Sequence, residues 1–226
     1  MNISLNYAEK GEGDILILLH GNSESNKIFK HQIDYFSSKY RVIAIDTRGH
    51  GNSPRGNAPF TLGQFAEDLN NFFTEHDIKK ANILGFSDGG NIAMIFTIKY
   101  PEKVSKLIIN GANLNPDGVK GYFNIFLRFM YKIFKGLSKI SKNSNKYLEM
   151  MSLMVNEPDI DVNALKKISV PTLVIAGTND LIKEEHTRLI ASAIPDSELI
   201  FIKGDHFIVS KKPKEFNDVV NSFLNN

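Results

Sequence analysis

Ile83-Leu84-Gly85-Phe86-Ser87-Asp88-Gly89-Gly90-Asn91-Ile92 decides the fold of this chain. A short apolar run ends at Gly85, and apolar residues at helical spacing begin at Ile92 and continue to Lys99. Between them lies G-x-S-x-G, the pattern of a nucleophile elbow. The flanking glycines let a strand turn sharply into a helix without side-chain clashes. That turn pushes the Ser87 hydroxyl out at the sheet's edge, beside the positive N-terminus of the helix. As bare letters the pattern is common, but between a strand and a helix it is specific.

The same alternation extends in both directions. Apolar runs at Ile15–Leu19, Val42–Ile45, Ile83–Gly85, Leu107–Ile109, Leu173–Ala176 and Glu198–Ile202 read as strands covered on both faces. Amphipathic helices are expected at Phe65–His76, Ile92–Lys99, Glu184–Ala193 and Glu215–Leu224. Thr61-Leu62-Gly63-Gln64 reads as a capping box, with Phe60 and Phe65 placed for a hydrophobic staple. Strand alternating with helix predicts an α/β fold, a doubly wound and mostly parallel sheet whose sites gather at the carboxyl ends of its strands.

One stretch breaks the rhythm. No strand pattern occurs from Asn113 to about Asp161, a length unusual for a connection. Val119, Tyr122, Phe123, Phe126, Met130, Ile133, Phe134, Leu137 and Ile140 follow helical spacing, with Lys120, Asn124, Arg128, Lys132, Lys135, Lys139 and Lys142 opposite them. Between Asn113 and Asn156 there are seven basic residues and only two acidic ones, Asp117 and Glu149. The expected organisation is a core of residues 1–112 and 162–226, with residues 113–161 as a small helical lid. The apolar stripe should pack partly on the core and partly over a pocket. The lysines then keep the outer face in water or, in a sharper form, Lys132, Lys135 and Lys139 favour anionic substrates or lipid surfaces.

A serine hydroxyl needs a base, and the base needs a third group to orient it. Among six histidines, His206 lies after the last strand, at the active edge and downstream of the serine. His31, His76 and His186 fall in helical patterns and read as surface residues, while His20 reads as a brace for its own loop. The acid should follow a strand between Ser87 and His206. Asp180, in Gly177-Thr178-Asn179-Asp180, fits and is favoured over its competitor Asp205, because adjacent loop residues rarely aim their side chains at one another. Asp88 is not a candidate for the acid, because the elbow sends its side chain away from the histidine. The backbone N–H groups of Asp88 and of Asn22, in Leu18-Leu19-His20-Gly21-Asn22-Ser23, are the expected oxyanion donors, which leaves the Asn22 side chain dispensable. The histidines lack any close-spaced metal-ligand pair, so no metal is expected.

His20-Gly21-Asn22, Asp46-Thr47-Arg48-Gly49-His50-Gly51-Asn52-Ser53, the serine elbow, and Gly177-Thr178-Asn179-Asp180 with Asp205-His206 occur in one order along the chain. This set resembles the α/β-hydrolase superfamily, in its small serine-triad, esterase-like branch. The resemblance implies Ser87 as nucleophile, Asp180 as acid and His206 as base, with Arg48 and His50 bracing the active edge. Relatives often begin with an antiparallel strand pair; here only Ile3–Ala8 fits, which implies about seven strands in place of eight. A serine at the nucleophile position and the absence of tryptophan set aside haloalkane dehalogenation. Haloperoxidase-like activity is at most a side reaction.

Composition agrees with one globular domain: 226 residues, 42% apolar and 23% charged. The absence of cysteine removes disulfide, thiolate and zinc–thiolate chemistry. Twenty-seven basic against 25 acidic residues give no field for nucleic acid. No secretory leader is evident, so a soluble, cytoplasmic protein is expected. The leading expectation is a cofactor-free serine hydrolase that takes a small-molecule acyl substrate, a small or medium carboxylic ester or thioester. The alternatives are a carbon–carbon bond hydrolase or lyase on the same triad, and a hydrolase-fold ligand-binding protein. Peripheral membrane contact through the lid is compatible with each.

Overall fold

The computed structural model describes residues 3–138 and 144–226; Ile140 of the expected stripe and Lys139 and Lys142 of the face opposite it lie outside them. Its centre is a seven-stranded sheet in the order β1-β3-β2-β4-β5-β6-β7, formed by β1 (Tyr7–Lys10), β2 (Asp14–Leu19), β3 (Tyr40–Ile45), β4 (Ala81–Phe86), β5 (Val104–Asn110), β6 (Thr172–Asn179) and β7 (Ser197–Asp205). Only β1 runs antiparallel to its neighbour, β3. It starts later than expected because Asn6 turns aside: its backbone N–H donates to Ser53 Oγ at 2.8 Å and its side chain to Asp46 Oδ2 at 2.8 Å.

The apolar runs alternate faces, as strand geometry requires. Ile17, Leu19, Ile43, Ile45, Ile83, Leu107, Ile109 and Val174 build one buried layer with α2 (Leu62–Glu75), α3 (Asp88–Lys99) and α6 (Glu184–Ala193). Leu16, Leu18, Val42, Ala44, Leu84, Ile108, Leu173 and Ile175 build the other against α1 (Lys30–Phe36) and the last helices, α7 (Ile208–Lys211) and α8 (Pro213–Asn225), numbered after the two helices that follow β5. Helix α1 carries His31, which the sequence pattern read as helical and at the surface and which is exposed. The sheet changes winding direction beside β2, which lies between β3 and β4, so the loops after β2 and β4 open into one crevice.

The start of α2 is half a capping box. Thr61 Oγ1 accepts from the Gln64 N–H at 3.2 Å, but the Gln64 amide donates to Asp68 Oδ1 at 3.1 Å instead of reaching back to Thr61. Asp68 draws it away because that carboxylate is fixed by Arg48. The Phe60–Phe65 staple forms, with ring centroids 4.9 Å apart.

Between β5 and β6 stand α4 (Gly121–Leu137) and α5 (Ser144–Asn156), with a 3-10 turn on either side. Leu114, Leu153 and Ile160 of this stretch join the main core. The expected apolar stripe divides. Its Phe123, Met130 and Phe134 are half-buried and its Tyr122, Phe126, Ile133 and Leu137 exposed, while Leu127, which lay outside the expected stripe, is buried. α4 packs mainly against α5, so only its inner arc is covered. Among the described residues, no helix is long and apolar enough to cross a membrane.

The loop after β3 is held by a buried ion pair. Arg48 Nε and Nη2 donate to Asp68 Oδ2 and Oδ1 at 2.7 and 2.6 Å, and Nη1 donates to the Arg55 carbonyl at 2.9 Å. Both side chains are almost wholly out of water. Removing one partner strands the other charge, so Asp68→Ala should lower stability by about 3–5 kcal/mol in chemical denaturation.

Candidate active site

Ser87 follows β4 and caps α3 with φ 54° and ψ −120°, in the left-handed half of backbone space. Its neighbours have room for no side chain: a Cβ on Gly85 would lie 2.2 Å from the Gly89 carbonyl oxygen, and one on Gly89 2.0 Å from that of Leu19. The Ser87 N–H donates to the Asn110 carbonyl at 2.8 Å, and its own carbonyl accepts from Gly90 and Asn91 at 2.8 and 3.1 Å. The side chain is thereby raised at the carboxyl edge of the sheet.

β6 and β7 bring two further side chains to the same edge. His206 Nε2 lies 3.1 Å from Ser87 Oγ, and His206 Nδ1 lies 2.6 Å from Asp180 Oδ1. A carboxylate accepts at Nδ1, so the ring proton sits there and the Nε2 lone pair faces the serine. Asp180 also accepts from the Ile182 N–H at 2.9 Å and the Gly177 N–H at 3.3 Å. Burial pushes its carboxyl up, but the bond and charge of His206 and these two amides outweigh it and hold it below the usual range. Asp205 is engaged elsewhere, accepting from the Phe207 N–H at 2.9 Å and pairing with Lys211.

Asp88 is the first residue of α3, so its N–H has no acceptor within the helix. The loop carrying Asn22 packs hard against the elbow: a Cβ on Gly21 would stand 3.1 Å from the Ser87 Cβ. His20 braces that loop. Its Nε2 accepts from the Thr47 N–H at 3.0 Å, which leaves Nδ1 to donate to the Gly21 carbonyl at 2.7 Å. Burial keeps it neutral by lowering its pKa. His50, in contact with the same Thr47, is pushed down to about 4, first by burial and then by His20.

Some side chains do what their letters do not announce. The Asn22 amide donates to Asp88 Oδ2 at 3.0 Å and to the Met150 carbonyl at 3.1 Å, so it ties the loop to the elbow and to α5. His186, expected at the surface, is half-buried and accepts from the Leu114 N–H at 2.8 Å. Glu157 accepts from the Leu62 N–H at 2.7 Å at the start of α2. Glu24 belongs to a polar run, Asn22-Ser23-Glu24-Ser25-Asn26, which reads as an ordinary solvated turn.

Two hollows meet at Ser87 and His206. One, of about 220 Å³, has Phe86, Phe123, Met154, Leu181 and Phe207 as apolar walls and Glu24 as its one acid. The other is narrower and reaches Asp88, Val119, Leu127 and Glu157. Burial raises the carboxyls of Asp88 and Glu157. It raises Glu24 to about 7, against the opposing charge of His206. Among the described residues no cluster of His, Asp or Glu is arranged to hold a metal ion.

A sheet of this order, with a strained serine after β4 and its partners after β6 and β7, defines a hydrolase class. A family model described as the alpha/beta hydrolase fold matches residues 14–138, more than half of the chain. The chain belongs to that family. It is 28% identical to the human serine hydrolase BPHL, over 98% of this chain and 83% of the relative. It is 26% identical to 3-oxoadipate enol-lactonase 2 of Acinetobacter baylyi, over 99% and 94% of the two chains. Among solved structures, an N-acyl homoserine lactone degrading enzyme superposes with a TM-score of 0.78 at 25% identity, over 98% of this chain and 97% of that one.

Glu24 makes stability depend on pH in a definite direction. Its folded pKa, about 7, exceeds the ordinary 4.5, so the folded state binds more protons and loses stability as pH rises through that window. Glu24→Gln removes the effect. Its stability relative to the parent should therefore rise by on the order of 1–2 kcal/mol between about pH 4.5 and pH 8, discounted for the water that reaches a partly buried carboxyl. Urea denaturation at the two pH values measures it.

Proposed function

We propose that this chain is a serine hydrolase that cleaves a small or medium carboxylic ester or thioester through an acyl-enzyme on Ser87. The observation that carries the reading is the continuous chain of contacts from Ser87 Oγ through His206 to Asp180, at 3.1 and 2.6 Å. In the proposed cycle His206 Nε2 takes the hydroxyl proton as Ser87 Oγ attacks the acyl carbon. Asp180 holds the ring in its Nδ1–H form and stabilises the imidazolium. The N–H groups of Asn22 and Asp88 receive the developing oxyanion. The tetrahedral adduct collapses, the alcohol or thiol leaves with the proton from His206, and a water, deprotonated by the same nitrogen, releases the acid and restores Ser87.

The apolar walls around the larger hollow suit an acyl chain of modest length. The relatives' names agree with the chemistry: one is a serine hydrolase, and two act on lactones, which are cyclic esters. The segment between β5 and β6 serves as the lid in this reading, since Phe123, Leu127 and Met154 close the hollows from above Ser87.

A fluorophosphonate probe should label the protein once, and Ser87→Ala should abolish labelling with the fold intact; persistent labelling would place the nucleophile elsewhere. Steady turnover on an ester and thioester panel distinguishes an enzyme from a binding protein. Asp180→Asn should lower kcat by on the order of 10⁴, and Asp205→Asn far less. The reverse order would move the acid.

Asn22→Ala tests the loop separately. The backbone donor survives this change, but the bonds to Asp88 and Met150 do not. We expect kcat to fall by about 10-fold, below the roughly 10²–10³ typical of a lost oxyanion donor, with KM little changed.

A further inference from the structure

We propose that the outer face of α4 docks on an anionic membrane surface. Ile125 is 72% exposed, Tyr122 68%, Phe129 61%, Phe126 53%, Leu137 45% and Ile133 39%. Residues step about 100° around a helix, so these six share one arc of about 120°. Such a contiguous apolar patch calls for a partner. The buried arc of Phe123, Leu127 and Phe134 bounds it on one side. Arg128, Lys132 and Lys135, all exposed, bound it on the other. Their contacts are local and uncharged: Arg128 donates to Asn124 Oδ1, and the Lys135 ammonium lies over the Tyr131 ring.

Charge selects the occupant. α4 contains no Asp or Glu. An antiparallel two-fold pairing with a second copy would set the basic flanks side by side, and in a parallel pairing each flank would still find no carboxylate on the facing helix. An apolar, aromatic arc with a basic flank is the form of helix that lies in a membrane interface, rings among the acyl chains and cations at anionic headgroups. The inference rests on this surface alone and not on the roles of Ser87, His206 and Asp180, so either can fail without the other.

Co-sedimentation tests it with two vesicle populations, phosphatidylcholine alone and phosphatidylcholine with about 30% phosphatidylglycerol. The full chain should bind the anionic vesicles, bind neutral ones much less, and lose binding as salt is raised. Each basic residue near such a surface contributes about fivefold, so Lys132→Gln with Lys135→Gln should weaken partitioning by about 25-fold. Phe129→Ser with Ile133→Ser should abolish it. Circular dichroism and the unfolding midpoint of each variant establish that the fold is retained, and the lysine pair, which leaves the six-residue apolar arc unchanged, provides the test if the apolar pair misfolds. No binding to anionic vesicles at low salt overturns the proposal, as does binding indifferent to both variants. So does a concentration-dependent dimer, dissolved by Phe129→Ser, in a protein that ignores vesicles.

Discussion

The turn at Ser87 is the constraint around which the rest is arranged. A residue with a side chain held at φ 54°, ψ −120° costs on the order of 1–3 kcal/mol relative to relaxed backbone. It persists because everything near it is over-determined. β4 is buried along its whole length between β2 and β5, α3 starts at once behind it, and Gly89 lies against the Leu19 carbonyl. The same packing brings the loop after β2 and the ends of β5, β6 and β7 within reach of one hydroxyl. Geometry that would be improbable for a free loop is enforced by a parallel sheet.

Around that turn, carboxyl groups withdrawn from water behave differently, and not in the order of their burial. Asp180 remains an anion because three donors face it, among them the His206 ring. Asp88, Glu157 and Glu24 have fewer donors or none, and burial raises all three. Glu24 is the extreme case, with Oε2 buried and without a partner among the described residues. The contrast is the expected one: burial penalises charge everywhere, and only hydrogen bonds aimed at the charged form reverse it.

Much of this was legible in the letters. Continuous apolar runs gave the parallel strands, since burial on both faces leaves no room for polar alternation, and strand-end motifs named Ser87, Asp180 and His206, which the fold brings together. What stayed hidden depends on partners distant in sequence. Nothing local tells that Asn22 spans 128 residues to the Met150 carbonyl or that His186 receives an amide from Leu114. The Phe126 and Ile133 positions misled in the other direction. Helical periodicity says that a stripe is apolar, not that something covers it.

Three separate threads run from the far part of the segment between β5 and β6 into the loops of the sheet. Glu149 pairs with Arg55, the Met150 carbonyl accepts from Asn22, and Glu157 caps Leu62 at the start of α2. Among the described residues, no side-chain hydrogen bond runs from α4 to the loops of the sheet: the Asn124 amide donates to the Pro116 carbonyl within the same segment, and Arg128 bonds within its own helix. The segment is therefore two parts with different freedom to vary. Sequence can drift along the exposed arc of α4 with little consequence for the elbow, whereas Phe123 and Leu127 on its inner arc line the hollows at Ser87. A graft that replaces residues 149–157 moves the Met154 wall of the hollow and the loop of Asn22 together, so exchange of this region between relatives succeeds only when the receiving loops travel with it.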